Sequence, residues 1–262
     1  MALNYPMIFL METFKSKFAG KVLTFGEQEL LLEDEEIIRL KNKFGSMNNF
    51  KNVKDIFFDL GFNELHTLEY PGYANADIEQ DLNVPLNKKF YNSYDCVVDG
   101  GHLEHCFNIQ EIMISIFNLL KVNGTVIHFN PCQGYMNHGF YNLQPTFFYS
   151  FYNNCNFTDI QVFLIESNIH DGCKKFKVTK LVENFNNMQY NTKYGNATFI
   201  LTIATKKEDS LLKIPVQEFY QKIFDEKSKI GGGLIDEETY DKIVGNVPEN
   251  NHEQITKNSF YI

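Results

Sequence analysis

An apolar run in the middle of the chain stops abruptly at glycines and histidines, in the order Tyr94-Asp95-Cys96-Val97-Val98-Asp99-Gly100-Gly101-His102-Leu103-Glu104-His105. The apolar half is typical of a buried strand, and we expect Leu103 to His105 to begin a helix. After that helix come a turn and a second buried strand, Leu119-Leu120-Lys121-Val122-Asn123-Gly124-Thr125-Val126-Ile127-His128-Phe129. In open α/β sheets, ligands bind in the crevice beyond the carboxyl ends of the strands. The sequence therefore predicts a binding site directly after Asp99.

The same alternation continues outward in both directions and predicts βαβ units with a mostly parallel sheet. Periodicity predicts strands at 21–25, 65–70, 76–81, 94–99, 125–130, 159–166 and 197–205, and helices at 28–43, 107–120, 144–154 and 211–224. The last two strands are expected to form an antiparallel pair, joined by a long connection over 170–196. We expect one α/β domain over 1–207 and a helical or flexible appendage over 208–262.

Composition excludes several classes of function. The chain has 262 residues, 44% of them hydrophobic, and a formal net charge of −9, which disfavours binding to a nucleic-acid backbone. No apolar run has the ~20 residues that a membrane span needs. Five scattered cysteines without CxxC spacing indicate reduced thiols and a cytoplasmic protein. The absence of GxGxxG and GxSxG motifs disfavours a dinucleotide enzyme and an α/β-hydrolase.

The ordered series of segments over roughly 15–205 resembles the class I S-adenosylmethionine-dependent methyltransferases. The segments 98–105 and 130–141 are most similar to enzymes encoded among bacterial surface-polysaccharide (capsule) genes. The resemblance implies a Rossmann-like, mostly parallel seven-stranded sheet with an antiparallel last strand and helices on both faces. It also implies S-adenosyl-L-methionine as cofactor and S-adenosyl-L-homocysteine as product. The implied acceptor is a small polar molecule or a surface-glycan precursor, through a sugar hydroxyl or a phosphate or phosphoramidate oxygen, as in capsular methyl phosphoramidate synthesis.

Residues that match the family's cofactor positions follow the first four strands. Gly26 would allow the methionine part close to the backbone, Glu69 would accept the ribose hydroxyls, and Asp81 would accept the adenine amino group. The resemblance assigns to the cofactor Gly26, Glu69, Tyr70, Asp81, Leu82, Asp99, Gly100 and Gly101. Asp99 is expected to be the more exposed acid of its strand, and Asp95, near the strand start, to be structural. The first turn holds one glycine where the family has two or three, and Glu27 follows it. This departure leaves a catalytically degenerate methyltransferase-fold partner as the alternative.

Acceptor groups are expected at the end of the fifth strand and in the loop after it. Candidates for substrate binding are His128, Asn130, Tyr135, Asn137 and Tyr141. Because histidine titrates near neutrality, His138 or His102 could act as general base, whereas an anionic acceptor would need none. The spacing of His102, Glu104 and His105 is not a zinc signature, so we expect no metal. The sequence does not indicate an oligomeric state.

Overall fold

The computed structural model describes residues 2–45, 50, 52–168, 175–181, 196–209, 212–229 and 259–261. Its helices are α1 (Tyr5–Thr13), α2 (Asp34–Phe44), α3 (Val53–Asp59), α4 (Ile109–Leu119), α5 (Pro145–Asn154) and α6 (Glu218–Lys229). Its strands are β1 (Ala2–Asn4), β2 (Gly20–Phe25), β3 (Glu29–Leu31), β4 (Phe62–Glu69), β5 (Ile78–Glu79), β6 (Tyr94–Asp99), β7 (Leu120–Gln133), β8 (Phe157–Asn168), β9 (Phe176–Leu181), β10 (Asn196–Lys206) and β11 (Ser259–Tyr261). Short 3₁₀ turns lie at Lys15–Lys17, Lys88–Phe90 and Leu103–His105.

Within the described residues, the main sheet has nine strands in the order β11-β9-β8-β10-β7-β6-β2-β4-β5. Pairing is parallel from β5 to β7 and antiparallel from β7 to β11. From β2 the chain builds outward to β4 and β5, then crosses back to place β6 and β7 on the other side of β2. The order therefore reverses between β2 and β6, and ligands of doubly wound sheets bind at such a switch point.

Helices cover both faces of the sheet. Alternate residues of the central strands point in opposite directions, so each of these strands contributes side chains to both core clusters. Val97 packs in a core cluster with Ile112 of α4 and Phe148 of α5. Its neighbours in β6, Cys96 and Val98, pack in the second cluster, which holds the buried residues of α1 and α3. The near-continuous apolar sequence of β6 thus follows from burial on both faces.

The predicted class I methyltransferase fold is confirmed, with β10 running antiparallel between β7 and β8. The sheet has nine strands rather than the predicted seven, because β9 and β11 extend it beyond β8. β9 lies in the predicted 170–196 connection, of which 170–174 and 182–195 fall outside the described residues. β11 lies in the predicted appendage, most of which, 230–258, is likewise outside them. A domain boundary at 207 stays a prediction.

Three predicted helices differ from the structure. The helix predicted over 211–224 is observed as α6, which begins only at Glu218. The predicted helix 28–43 begins only at Asp34, after a capping box between Glu33 and Glu36, because Glu29–Leu31 pairs instead with β1. The predicted start of a helix at Leu103 is an isolated 3₁₀ turn, and α4 begins after Asn108, whose side chain caps it. In the described part of the chain, no helix is both long and apolar enough to cross a membrane.

Candidate functional site

The first wall of the crevice is the sharp turn after β2. Gly26 has φ +77°, in the left-handed region that favours glycine, and its amide donates to the carbonyl of Leu68 at 2.8 Å. The next amide, that of Glu27, donates to Oε1 of Glu69 at 2.7 Å. The turn therefore fixes the Glu69 side chain at the end of the neighbouring strand β4.

Gln28 fills the crevice between the ends of β2 and β6. Its side chain is buried, and Nε2 donates to the carbonyls of Phe25 at 3.0 Å and Gly26 at 3.2 Å. Its Oε1 is buried without a hydrogen-bond partner among the described residues. A Cβ built on Gly100 would lie 2.5 Å from that oxygen. Gln28 was not among the predicted site residues. It follows the turn that holds one glycine, where class I methyltransferases have two or three.

Glu69 and Asp81 lie at the same edge of the sheet, since the amide of Gln80 donates to the carbonyl of Glu69 at 2.9 Å. Glu69 is buried. Asp81 is half-buried, and its Oδ1 accepts from the backbone and side-chain amides of Asn83 at 2.8 and 2.9 Å. Leu82 is buried, whereas Tyr70 is exposed. The predicted ribose and adenine residues are therefore neighbours in the structure.

Asp99 is fully buried, whereas the side chain of Asp95 is 35% exposed, which corrects the expectation that Asp99 is the more exposed of the two acids. Its Oδ1 accepts from the backbone amides of His102 at 2.8 Å and Leu103 at 3.2 Å. Its Oδ2 is 2.9 Å from both Nδ1 of His128 and Nδ2 of Asn130. Burial raises the pKa of this carboxyl, but the hydrogen bonds from these neighbours oppose burial, and the net effect lowers the pKa below its ordinary value. Asp99 accepts hydrogen bonds from these four donors and so holds the chain that follows β6 against β7.

His128 is also fully buried, and both of its ring nitrogens are engaged. It pairs with Asp99 in the parallel register of β6 and β7, and its Nε2 lies 2.5 Å from Oη of the buried Tyr152. The pattern is satisfied if Nδ1 donates to Asp99 and Nε2 accepts from Tyr152. The ring of His128 therefore holds the Asp99 carboxylate in place, and its predicted contact with substrate stays a prediction.

Asn130 joins two buried carboxylates. Its Nδ2 donates to Oδ2 of Asp99 at 2.9 Å and to Oε2 of Glu104 at 3.0 Å, while its Oδ1 is buried without a partner among the described residues. Glu104 is buried, and burial together with the charge of Asp99 raises its pKa to about 7. Both residues lie beyond the carboxyl ends of β6 and of the part of β7 that pairs with β6. Asn130 therefore lies in the region predicted for the acceptor.

The predicted acceptor loop folds back over the 3₁₀ turn Leu103–His105. The amide of Phe140 donates to the carbonyl of Glu104 at 2.7 Å, and a Cβ on Gly139 would lie 2.6 Å from that carbonyl oxygen. Only a glycine allows the loop to lie so close. The contact places Nε2 of the exposed His138 3.8 Å from Oε1 of Glu104.

The remaining predicted acceptor residues lie around this loop. The ring centroid of Tyr135 is 5.7 Å from that of His138, and Asn137 is exposed with φ +63°. The hydroxyl of Tyr141 donates to the carbonyl of Phe107 at 2.8 Å, so it anchors the loop. His105 was not predicted to have a catalytic role, and its ring centroid lies 4.9 Å from that of His138.

His102 lies apart from the His105 and His138 pair, on the cofactor side of the crevice. Its ring is half-buried and meets the ring of Phe25 edge-on, at 6.2 Å between centroids. Burial lowers the pKa of His102, while the charges of Asp99 and Glu69 act in the opposite sense. His102 therefore faces the predicted cofactor residues rather than the acceptor loop.

No family model matches the chain, and no curated protein sequence matches it significantly. Similar solved structures include a protein of Bacillus halodurans C-125 proposed to be a methyltransferase, with 10% identity and a TM-score of 0.45 over 77% of this chain and 99% of that one. A SAM-dependent methyltransferase of Archaeoglobus fulgidus is 13% identical, with a TM-score of 0.41 over 76% of this chain and 94% of the other. Likeness this low establishes no activity or substrate, and the fold is established by the strand order itself.

Proposed function

We propose that the protein is an S-adenosylmethionine-dependent methyltransferase, with the cofactor in the crevice at the switch point between β2 and β6. One observation carries the proposal. Two carboxylates, Glu69 at the end of β4 and Asp81 two residues after the end of β5, lie at the same edge as a turn glycine, Gly26, and a glycine pair, Gly100 and Gly101. Acidic side chains at such strand ends accept ribose hydroxyls, and glycines allow a ligand close to the backbone.

The acidic residues fit the adenosyl part of this cofactor. Glu69 uses Oε1 to hold the turn after β2, and its Oε2 has no hydrogen bond within the described part of the chain, so it can accept from the ribose. Asp81 likewise uses Oδ1 in its turn and keeps Oδ2 for the adenine amino group. The backbone amide of the buried Leu82 would meet a ring nitrogen, and the exposed Tyr70 borders the opening.

The side-chain oxygen of Gln28 is suited to bind the methionine end of the cofactor. A buried oxygen without a donor costs about 1–3 kcal/mol, and Oε1 of Gln28 is such an oxygen, facing Gly100. The α-ammonium group of the cofactor is a donor of the required kind. When bound, the cofactor supplies an electrophilic methyl group on a sulfonium sulfur. The chain's task is then to align the acceptor, and to remove a proton only if the nucleophile carries one.

The acceptor would lie between the cofactor and the loop that holds Tyr135, Asn137 and His138. Amide and aromatic groups on that loop suit a small polar acceptor. Asn130 and Tyr141 hold the two ends of the loop in place. We propose a sugar hydroxyl or a phosphate or phosphoramidate oxygen of a surface-glycan precursor in the cytoplasm, with His138 or His102 as base where one is needed. The net charge of −9 supports an acceptor other than nucleic acid.

A second candidate is a methyltransferase-fold protein that no longer catalyses transfer. Glu27 and Gln28 favour this candidate. They place a carboxylate and a buried amide side chain where class I methyltransferases have further glycines. Isothermal titration calorimetry of the full chain with S-adenosylmethionine, S-adenosylhomocysteine and NAD separates the candidates. We expect both sulfur compounds to bind and NAD not to bind. Failure of both to bind would overturn the methyltransferase proposal.

A further inference from the structure

We propose that Glu104, His105 and His138 form a binding site for a divalent transition-metal cation, with Zn²⁺ the best match. Each residue offers one ligand atom, and these atoms lie within 4.8 Å of one another. Two imidazoles with one carboxylate are a ligand set of three-ligand zinc sites, which keep a coordination position open. This site departs from the expectation of no metal, and it uses His138 where spacing along the chain had suggested His102.

The distances need little adjustment to hold a cation. With metal–ligand bonds of about 2.1 Å in tetrahedral geometry, two ligand atoms stand about 3.4 Å apart. Nε2 of His138 is 3.8 Å from Oε1 of Glu104, and the three ligand atoms lie within 4.8 Å of one another, so rotation of the two histidine rings would bring them to bonding positions. His105 and His138 are exposed, and their rings can turn without disturbing the core.

Glu104 supplies a buried carboxyl group whose Oε1 faces the two histidines. It is 1% exposed, and within the described residues the only basic group at ion-pair distance is His138. A buried carboxylate is costly unless it is paired or bound to a metal. Its Oε2 is held by Asn130, which leaves Oε1 directed at the histidines. A hydrogen bond that orients a ligating carboxylate in this way is typical of metal sites.

The backbone holds His138 in place over this carboxylate. The Phe140 amide and the close approach of Gly139 attach the loop to the carbonyl of Glu104 itself. Asn137, just before the histidine, turns the chain in the left-handed region. Two chain segments that are hydrogen-bonded to each other therefore present the carboxylate of Glu104 and the imidazole of His138 that faces it.

The open coordination position would point to the acceptor side of the crevice. A Cβ on Gly101 would be 3.0 Å from Oε1 of Glu104, and Gly101 borders the proposed cofactor site. A cation there would bind an oxygen of the methyl acceptor, either a phosphate oxygen or a hydroxyl, whose acidity it would increase. This second step rests on the proposed function, whereas the cation site does not.

The test is a titration of the metal-depleted full chain with Co²⁺, which replaces Zn²⁺ and absorbs visible light when bound. We expect saturation at one equivalent in the wild type and at least about tenfold weaker binding in His105→Ala and in His138→Ala. His66→Ala is the matched control, since His66 contacts Tyr94 and Glu64 instead, and it should bind as the wild type does. Glu104→Gln tests the third ligand where the variant folds, as circular dichroism will show.

The result that overturns the site is a wild type that binds no Co²⁺, or histidine variants that bind it as well as His66→Ala does. Inorganic phosphate added to the Co²⁺-loaded chain should shift the visible bands, and an unchanged spectrum would overturn the acceptor role of the open position. None of these measurements needs S-adenosylmethionine. Failure of the metal site is therefore distinct from failure of the proposed methyltransferase, which the calorimetry tests.

Discussion

Gln28 lies so close to Gly100 that a Cβ on this glycine would stand 2.5 Å from Gln28 Oε1. The two residues follow neighbouring parallel strands, β2 and β6, and close the crevice between their ends. Gln28 is tied to that position by bonds to two carbonyls. Glycine at position 100 is therefore required by the glutamine as well as by any ligand.

Gly100→Ala should destabilise the fold because it displaces the Gln28 amide from its two acceptors. We expect a loss of about 1–3 kcal/mol in the free energy of unfolding, measured by urea denaturation. In a Gln28→Ala background the space is open, so the same change should cost less than about 1 kcal/mol. Additive losses in the double variant would contradict the contact.

Asp99→Asn should cost more stability than Asp95→Asn, the reverse of what sequence position suggests. Asn at 99 would turn an amide toward the donors His128 and Asn130, at a cost of about 2–4 kcal/mol. Asp95 is the matched control on the same strand, because its side chain is 35% exposed and paired with Lys121, a pair worth about 1 kcal/mol or less. Equal losses in urea denaturation would show that Asp99 is not the buried centre of a network.

The spacing of apolar residues predicted the central strands of the sheet, because their positions depend on the local sequence. The strand β6 was predicted with its observed ends, and Glu69 was predicted to end its strand, as it does, because apolar runs stop there. The strand predicted over 76–81 is shorter in the structure, so that Asp81 follows the end of β5 by two residues. Glu29–Leu31 was predicted as helix, since its pairing with β1 depends on residues far upstream. Here a tertiary contact outweighs helix propensity.

The site depends more strongly on contacts between distant segments. That His128 faces Asp99 is set by the register of β6 on β7, and no spacing in the sequence reveals it. Gln28 carried no signal, because its role depends on β2 and β6 being neighbours. His138 meets Glu104 through the close approach of Gly139. The sequence therefore supplied the candidate residues, but the network among them required the structure.

Glu12 should make stability depend on pH near neutrality. It is buried in α1, with Oε1 unpartnered among the described residues, and burial raises its pKa from 4.5 to about 7, with Lys15 acting in the opposite sense. A raised carboxyl pKa favours the protonated folded state, so the penalty from Glu12 is full above pH 7 and disappears as the pH falls toward 4.5.

Glu12→Gln should therefore raise the free energy of unfolding by about 1–3 kcal/mol at pH 8 and by less than about 1 kcal/mol at pH 5. Denaturation curves at the two pH values measure the difference. Glu35→Gln, on the exposed surface of α2, is the control and should show no such change with pH. A gain that is equal at both pH values would mean that Glu12 is not held with a raised pKa.

Glu69→Ala should weaken the binding of S-adenosylhomocysteine by about 1–3 kcal/mol, because a charge-assisted acceptor for the ribose is lost. Glu69→Gln keeps an oxygen for the Glu27 amide and should also weaken binding, which separates the ribose contact from the turn. Glu64→Ala, at the opposite end of β4, is the control. Calorimetry that finds unchanged affinity in both Glu69 variants would remove this residue from the cofactor site.

His138→Asn should impair methyl transfer without impairing cofactor binding, because His138 faces Glu104 and the acceptor loop rather than Glu69. On an identified acceptor we expect kcat/KM to fall by about 10²–10⁴, with the affinity for S-adenosylhomocysteine close to that of wild type and of the control His66→Asn. A loss confined to kcat would mean that His138 helps to deprotonate a hydroxyl, directly or through a bound cation. A loss confined to KM would mean that it holds an anionic acceptor that needs no deprotonation. Kinetics equal to those of the control would exclude His138 from both roles, and would move the search for a base to His102 beside Phe25.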